Sequence, residues 1–379
     1  MDSKYFPEAP SPCFILEESL LRNNLQLIQR VQQEAGIEII LALKGFAMWS
    51  VFPIVKEYVN TSTASSLYEA RLCFEEMHAK AHTYAAAFHP EEIDDILKYS
   101  SHITFNSVAQ FELYKHKAAT AGVSCGLRVN PEYSEVQTEM YNPCAPGSRL
   151  GLSVENLVDS LPEGVEGLHF HALCENDSYT LEHVLENFER LYGKYLSQCQ
   201  WVNFGGGHLM TRKGYQIDHL IGILKSFKAR YPHLKVIMEP GSAFAWETGH
   251  LIGTVLDIVN NKGVKTLMMD ISFTAHMPDT LEMPYRPRIR GASDPVAGQA
   301  TYRIGGVSCL SGDYMSEYSF EQEVGVGDRL LFEDMIHYTM VKTTMFNGVR
   351  HPAIAVLDSS GQLHIKRVFH YEDYKSRLS

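Results

Sequence analysis

A lysine, two histidines, three consecutive glycines and a glutamate are spaced along this chain in an order that could bind and use an aldehyde. Lys44 closes the apolar run Ile39-Ile40-Leu41-Ala42-Leu43. Lysine is seldom buried without a partner, and desolvation at a strand end lowers its pKa and favours the neutral amine, the form that makes imines. Glu239 follows Val236-Ile237-Met238, where an ionised carboxylate is costly unless paired. Either a cationic heterocycle or an arginine such as Arg128 or Arg149 would supply that partner. Between them lie His169-Phe170-His171 and Gly205-Gly206-Gly207. The two histidines alternate along a strand and share a face. One can stack on an aromatic ring, or both can sit satisfied in a core; metal ligation would need a third convergent ligand. The glycine run follows a strand and is expected to open a helix, which leaves its backbone N–H groups open to a phosphate, and it serves equally well as a flexible loop.

Lys44 alone would fit a solvent-facing strand end. The order of all four features instead assembles the parts of a pyridoxal phosphate site. The elements that must position them are readable as well. From residue 37 to residue 241, short apolar runs alternate with longer amphipathic segments, the pattern of parallel βα units. Eight runs occur, at 38–43, 58–62, 82–86, 102–105, 124–129, 165–170, 201–204 and 235–238. Helical spacing lies between them, as in 67–74. Eight units predict a (β/α)8 barrel, whose active site is built at the C-terminal strand ends. Lys44, Ser62-Thr63, Asn106-Ser107, Asn130, His171, Gly205 to Gly207 and Glu239 all fall there. An open doubly wound sheet would also alternate strands and helices, but would not converge so many polar strand ends.

Beyond residue 250 the texture becomes strand-like, with runs at 266–270, 300–306 and 329–333, predicting a mainly β C-terminal domain. The opening run Cys13-Phe14-Ile15-Leu16 is expected to join it. The expected division is a barrel over 22–250 and a β domain over 251–379 joined by 1–21. Three prolines between Pro278 and Pro287 mark a loop.

A formal charge of -12 and a pI near 5.8 argue against a nucleic-acid surface and favour cationic substrates. Met1 to Glu8 carries acids and a proline where a signal peptide needs an apolar stretch, and no segment is apolar for long enough to span a bilayer. Seven scattered cysteines without CxxC spacing fit a reducing cytoplasm.

Taken together, these motifs resemble the fold-type III (alanine racemase-like) pyridoxal phosphate decarboxylases, which include ornithine and diaminopimelate decarboxylases. The segments 41–47, 169–176 and 337–348 look most like the carboxynorspermidine/carboxyspermidine branch. The resemblance implies that Lys44 carries the cofactor, His171 stacks on its ring, Gly205, Gly206, Gly207 and Tyr338 hold the phosphate, Glu239 pairs with the pyridine nitrogen and Arg149 lies nearby. It also implies a homodimer in which Cys309 and Asp313 reach the site from the second subunit, Cys309 as the proton donor. A carboxylated polyamine substrate would carry positive charge, for which His276, Asp279 and Glu282 are candidate contacts, with Asp313. Two positions depart from the family pattern. Ser242 follows Glu239-Pro240-Gly241 where relatives carry arginine, and Leu310 follows Cys309 where ornithine decarboxylases carry aspartate. Ornithine is thereby a poor substrate. Racemases of this fold pair the ring with arginine, so Glu239 speaks for decarboxylation; a non-catalytic cofactor carrier would not be expected to keep Lys44, Cys309 and Asp313 together.

Overall fold

A computed structural model of the chain describes residues 6–136, 141–157 and 160–379. It divides into two compact units, Asn24–Phe244 and the pair Met1–Asn23 with Ala245–Ser379.

The first unit is the expected barrel. Its eight strand positions are Glu38–Ile39 with Leu41–Ala42, then Ser62–Ala64, Ala81–Tyr84, Ser100–Phe105, Ser124–Arg128, Gly167–His169, Trp201–Asn203 and Lys235–Met238. Neighbours pair in parallel throughout. The ring closes through the first strand, whose ladder is interrupted at Ile40. Its first half pairs with Lys235–Met238 and its second half with Ser62–Ala64. The Ile40 N–H donates to Met238 O at 2.9 Å and the Leu41 N–H to Thr61 O at 3.2 Å, which hands the backbone from one neighbour to the other.

Two local expectations shift. The second strand starts at Ser62, where the expected run ends, because the N–H groups of Tyr58 and Val59 still bond back to Val55 O at 3.0 and 3.1 Å. The glycine run does not open a helix; turns and bends separate it from the helix Ile217–Arg230.

Strands this short make few ladder bonds, so apolar packing by the outer helices carries much of the stability. The helix Ser178–Leu196 shows how. Asp177 caps it by accepting the N–H groups of Tyr179 and Thr180, each at 3.0 Å. That cap contributes about 1 kcal/mol. The buried face, with Leu181, Val184, Leu185, Phe188, Tyr192 and Tyr195, contributes about 1.5–3 kcal/mol for each large side chain and therefore dominates. Phe188 meets Phe170 at 4.8 Å between ring centroids, and Phe170 stacks on Phe204 at 5.3 Å. Truncating Phe188 to alanine would cost about 3–5 kcal/mol. Inside the barrel, Trp201 lies over Gly126 and Gly167, where an added Cβ would fall 2.2 and 2.1 Å from its ring. Its indole N–H donates to Ser124 Oγ at 2.9 Å. Trp201, Ser124 and Gly167 all begin strands, so the indole closes the end opposite the polar strand ends.

The second unit is a nine-stranded mixed sheet. Its spine is the strand Gly249–Asn261, which pairs antiparallel with Cys13–Glu17, Val264–Met269 and Arg329–Glu333. Cys13–Glu17 also pairs in parallel with Ala353–Leu357, so the opening strand does belong to this sheet. A turn of helix, Asp279–Glu282, lies inside the expected Pro278–Pro287 loop. Pro278 sits at its N-cap, where its carbonyl accepts the N–H groups of Leu281 and Glu282 at 3.0 and 2.9 Å and its missing N–H is not needed. No helix among the described residues is long and apolar enough to cross a membrane.

Candidate active site

The strand ends converge as the barrel geometry requires. Lys44 occupies a tight turn just past the first strand, tied by the N–H groups of Gly45 and Phe46 to Ala42 O at 3.0 and 3.2 Å. Gly45 abuts Gly241 past the eighth strand so closely that a Cβ on Gly45 would lie 2.8 Å from Gly241 Cα. The turn bearing Lys44 and the turn after Glu239 therefore touch backbone to backbone.

Lys44 exposes accessible surface, yet loss of water is the largest influence on its amine. The two observations agree for a side chain in a concave mouth, which water reaches while protein replaces much of the surrounding solvent. The result is a lowered pKa, to which Arg128 adds and which Glu239, Cys174 and Glu69 oppose. The amine makes no hydrogen bond to another described residue.

Glu239 is buried, and both of its oxygens are held. The imidazole of His169 approaches Oε1 through Nε2 at 3.0 Å, and the amide of Asn203 donates to Oε2 at 2.9 Å. Burial alone would raise its pKa; the opposing pull of His169, Lys44 and Asn203 is greater and holds it at about 2. Burial keeps His169 below the ordinary histidine value, so the ring is neutral and donates its Nε2 proton to an ionised carboxylate. Glu239 is thus partnered by His169 and Asn203, and not by Arg128 or Arg149.

Alternation along the sixth strand behaves as expected. Phe170 joins the outer core while His169 and His171 serve the interior. His171 Nδ1 accepts the Gly206 N–H at 2.8 Å, which leaves Nε2 to carry the proton. Burial, followed by Lys44 and Arg128, pushes its pKa well below the ordinary value. The three glycines are dictated by space: a Cβ would meet Phe170 O at 2.3 Å from Gly205, Glu239 O at 2.6 Å from Gly206 and Leu173 O at 2.1 Å from Gly207. Gly205 and Gly207 also have φ of 70° and 84°, the left-handed region. Two of the N–H groups already have acceptors, Gly205 on Asn203 Oδ1 at 2.8 Å and Gly206 on His171. Arg149 is exposed; its carbonyl accepts from Asn106 at 2.8 Å, and Asn106 Oδ1 in turn accepts the Tyr84 hydroxyl at 2.9 Å. Arg128 is buried, 4.8 Å above the Tyr84 ring, and donates to His171 O at 3.2 Å.

The remaining candidates lie in the second unit. Cys309 is exposed, with its N–H donated to Asn347 Oδ1 at 2.8 Å. Asp313 is buried and spends both oxygens on its own surroundings: Oδ1 accepts the Thr274 N–H at 3.1 Å, and Oδ2 accepts the Ser308 N–H at 3.1 Å and hydroxyl at 2.6 Å. Its geometry is that of a brace for the Cys309 loop. His276 is fully buried, its Nδ1 accepting the Ser272 N–H at 3.1 Å. Asp279 Oδ2 takes the hydroxyls of Tyr285 and Thr339, each at 2.8 Å, while its buried Oδ1 has no partner among the described residues. Glu282 is exposed and paired with Lys342. Tyr338 is half-buried with φ of 43°, a strained backbone for a non-glycine residue.

Sequence reasoning missed Asn203, Tyr84 and the bracing role of Asn347, and named Arg128 only as a competing partner for Glu239. For Asn203 and Arg128 a signal existed: each interrupts an apolar strand run and, once buried, must find partners.

A profile for the family described as pyridoxal-dependent decarboxylase, C-terminal sheet domain, matches residues 28–336. The chain belongs to the pyridoxal-dependent decarboxylases. This decarboxylase is 53% identical, over 97% of its length and 95% of the relative's, to the carboxyaminopropylagmatine decarboxylase of Synechocystis. It is 42% identical, over 98% of its length and all of the relative's, to the carboxynorspermidine/carboxyspermidine decarboxylase of Campylobacter jejuni. Among solved structures, the C. jejuni carboxynorspermidine decarboxylase complexed with norspermidine superposes with a TM-score of 0.90 at 41% identity, covering 97% of this chain and 99% of that one. Diaminopimelate decarboxylase from Helicobacter pylori, at 15% identity and a TM-score of 0.79 over 98% and 99% of the two chains, shares the fold. The residues fit the family's cofactor: the decarboxylase presents an unpartnered amine of lowered pKa, an ionised carboxylate near it and a glycine turn with no room for side chains.

Proposed function

We propose that this decarboxylase removes the α-carboxylate of a carboxylated polyamine, carboxynorspermidine or carboxyspermidine, with Lys44 and Glu239 as its paired working groups. The observation that carries this reading is the juxtaposition of a desolvated amine after the first strand with a doubly held, ionised carboxylate after the eighth. When bound, pyridoxal phosphate supplies an aldehyde for amines and a ring that accepts the electron pair left as carbon dioxide departs.

Lys44, whose pKa is lowered by burial, would hold the cofactor through its amine. Glu239 would accept a hydrogen bond from the protonated ring nitrogen and keep that proton in place. His171, oriented by the Gly206 N–H, would stack on the ring. The Gly205 to Gly207 turn and Tyr338 would hold the phosphate, with Arg149 nearby. Because Gly205 and Gly206 already donate elsewhere, Gly207 is the glycine whose N–H is left for it. Cys309 of a second copy would donate the proton to the α-carbon, on a loop that Asp313 braces. Exposed Val307, Leu310, Tyr314 and Phe346 accompany Cys309, and an apolar edge of this kind suits a homodimer. Asp279, through its unpartnered oxygen, and Glu282 are the acids for the cationic arm. The seven free cysteines suit a reducing cytoplasm.

A second substrate is favoured by the Synechocystis relative: carboxyaminopropylagmatine, whose arm ends in a guanidinium in place of an ammonium. The test is carbon dioxide release by the purified, cofactor-loaded protein from these three compounds, ornithine and diaminopimelate, with Lys44→Ala alongside. Release confined to the carboxylated polyamines or the agmatine derivative, and abolished in Lys44→Ala, is expected. Comparable release from ornithine would overturn the substrate class, and full activity in Lys44→Ala would overturn the site.

A further inference from the structure

We propose that His169 is a positioning residue for the decarboxylation, setting both the orientation and the charge of Glu239 from beneath. The inference rests on the reading of Glu239 as the ring-nitrogen partner.

His169 is 1% exposed, ends the sixth strand and directs Nε2 at Glu239 Oε1 at 3.0 Å. Asn203, from the seventh strand, holds Oε2 at 2.9 Å and also accepts the Gly205 N–H at 2.8 Å. The carboxylate is therefore pinned at both oxygens from two adjacent strands, and its plane is fixed by the scaffold before any ligand arrives. The Nδ1 of His169 is buried without a partner among the described residues. Among those residues one carboxylate oxygen is the side chain's single hydrogen-bond partner, so the histidine has no other polar task there. The titratable groups around the pair are Lys44, Arg128, Tyr84, His171 and His208, with His82 and His102 deeper in the same cavity. Arg128 is a cation and Lys44 is one when protonated, so a protonated His169 would add further positive charge to a buried site. The neutral donor is the arrangement that leaves Glu239 ionised without that penalty.

The consequence is a division of labour between substitutions. His169→Leu removes the donor but fills the space; His169→Gln keeps an amide donor. Three measurements on the full-length protein separate a positioning role from packing: kcat and KM across pH 6 to 9, cofactor affinity, and, in the apoprotein, titration of the carboxyl infrared band that Glu239→Gln removes. In His169→Leu we expect kcat to fall by about 10–100-fold, the size seen when an outer hydrogen-bond partner of a site ligand is lost, with KM little changed and the Glu239 band titrating at higher pH than in wild type. His169→Gln should recover most of both. Equal impairment in Leu and Gln, or a carboxyl band unmoved in His169→Leu, would refute the proposal. Should Glu239→Gln itself retain wild-type kcat, the reading of Glu239 fails; should only Glu239→Gln be impaired, the role of His169 alone fails.

Discussion

Asn203→Asp is the most incisive perturbation of this site, because it changes one atom pair whose geometry is known. The native amide accepts from the Gly205 N–H and donates to Glu239 Oε2. Aspartate keeps the acceptor but sets a second carboxylate oxygen 2.9 Å from Oε2. At an effective dielectric near 20, two unit charges at that distance repel by about 6 kcal/mol, equivalent to about 4 pKa units. The pair will therefore share one proton, held in the folded protein up to roughly pH 8, whereas either acid loses it near pH 4 when unfolded. Between those limits the native state binds one more proton than the unfolded state, so stability falls as pH rises. Across pH 5 to 8 the loss relative to wild type should grow by about 4 kcal/mol, one proton over three pH units at roughly 1.4 kcal/mol each. Urea denaturation followed by intrinsic fluorescence at pH 5, 6.5 and 8 measures it. Asn203→Ala is the control, expected to lose about 1–3 kcal/mol without that slope. A stability difference between Asn203→Asp and wild type that stays constant within about 1 kcal/mol over the range would refute the reasoning.

Further expectations follow from the same geometry. Gly207→Ala places a Cβ 2.1 Å from Leu173 O at a φ of 84°, so it should weaken cofactor binding, measured by fluorescence titration, and lower the melting temperature. Glu239, held at about 2 against roughly 4.3 when unfolded, contributes stability that is present above pH 4.3 and disappears as pH falls through 2; in acid titrations, Glu239→Gln should lack that segment of the wild-type curve. Cys309→Ala should damage product formation far more than cofactor binding, and unchanged turnover and product identity would remove Cys309 from the reaction. Asp313→Ala, which frees Ser308, should alter the alkylation rate of Cys309, whereas a direct substrate contact would instead raise KM with that rate unchanged.

The barrel was legible because its strands and helices differ in period and because polar residues cap the apolar runs at one end. The closure at Ile40 was not, since two-residue half-strands carry no periodicity of their own. Lys44 and Glu239 stood out as charges against apolar runs, and the glycine triplet as three absent side chains. What residue types alone could not say is where an acceptor's lone pairs go: Ser308 and Thr274 donate to Asp313, and Ser272 donates to a fully buried His276. Asn203 stood in the sequence only as an amide interrupting an apolar run; that its partners are the glutamate of the next strand and the glycine turn that follows is set by the closure of the barrel.

The contact between Gly45 and Gly241 joins the two chain ends of the ring. Lys44 and Glu239 come from opposite extremes of the barrel sequence, so neither half of that sequence contains a working pair. Any folding intermediate that has yet to zip this seam has the amine but no counter-acid. Uptake of the vitamin by newly made protein should therefore report the last step of barrel assembly, and a lesion anywhere that delays the seam would first be seen as loss of the yellow colour.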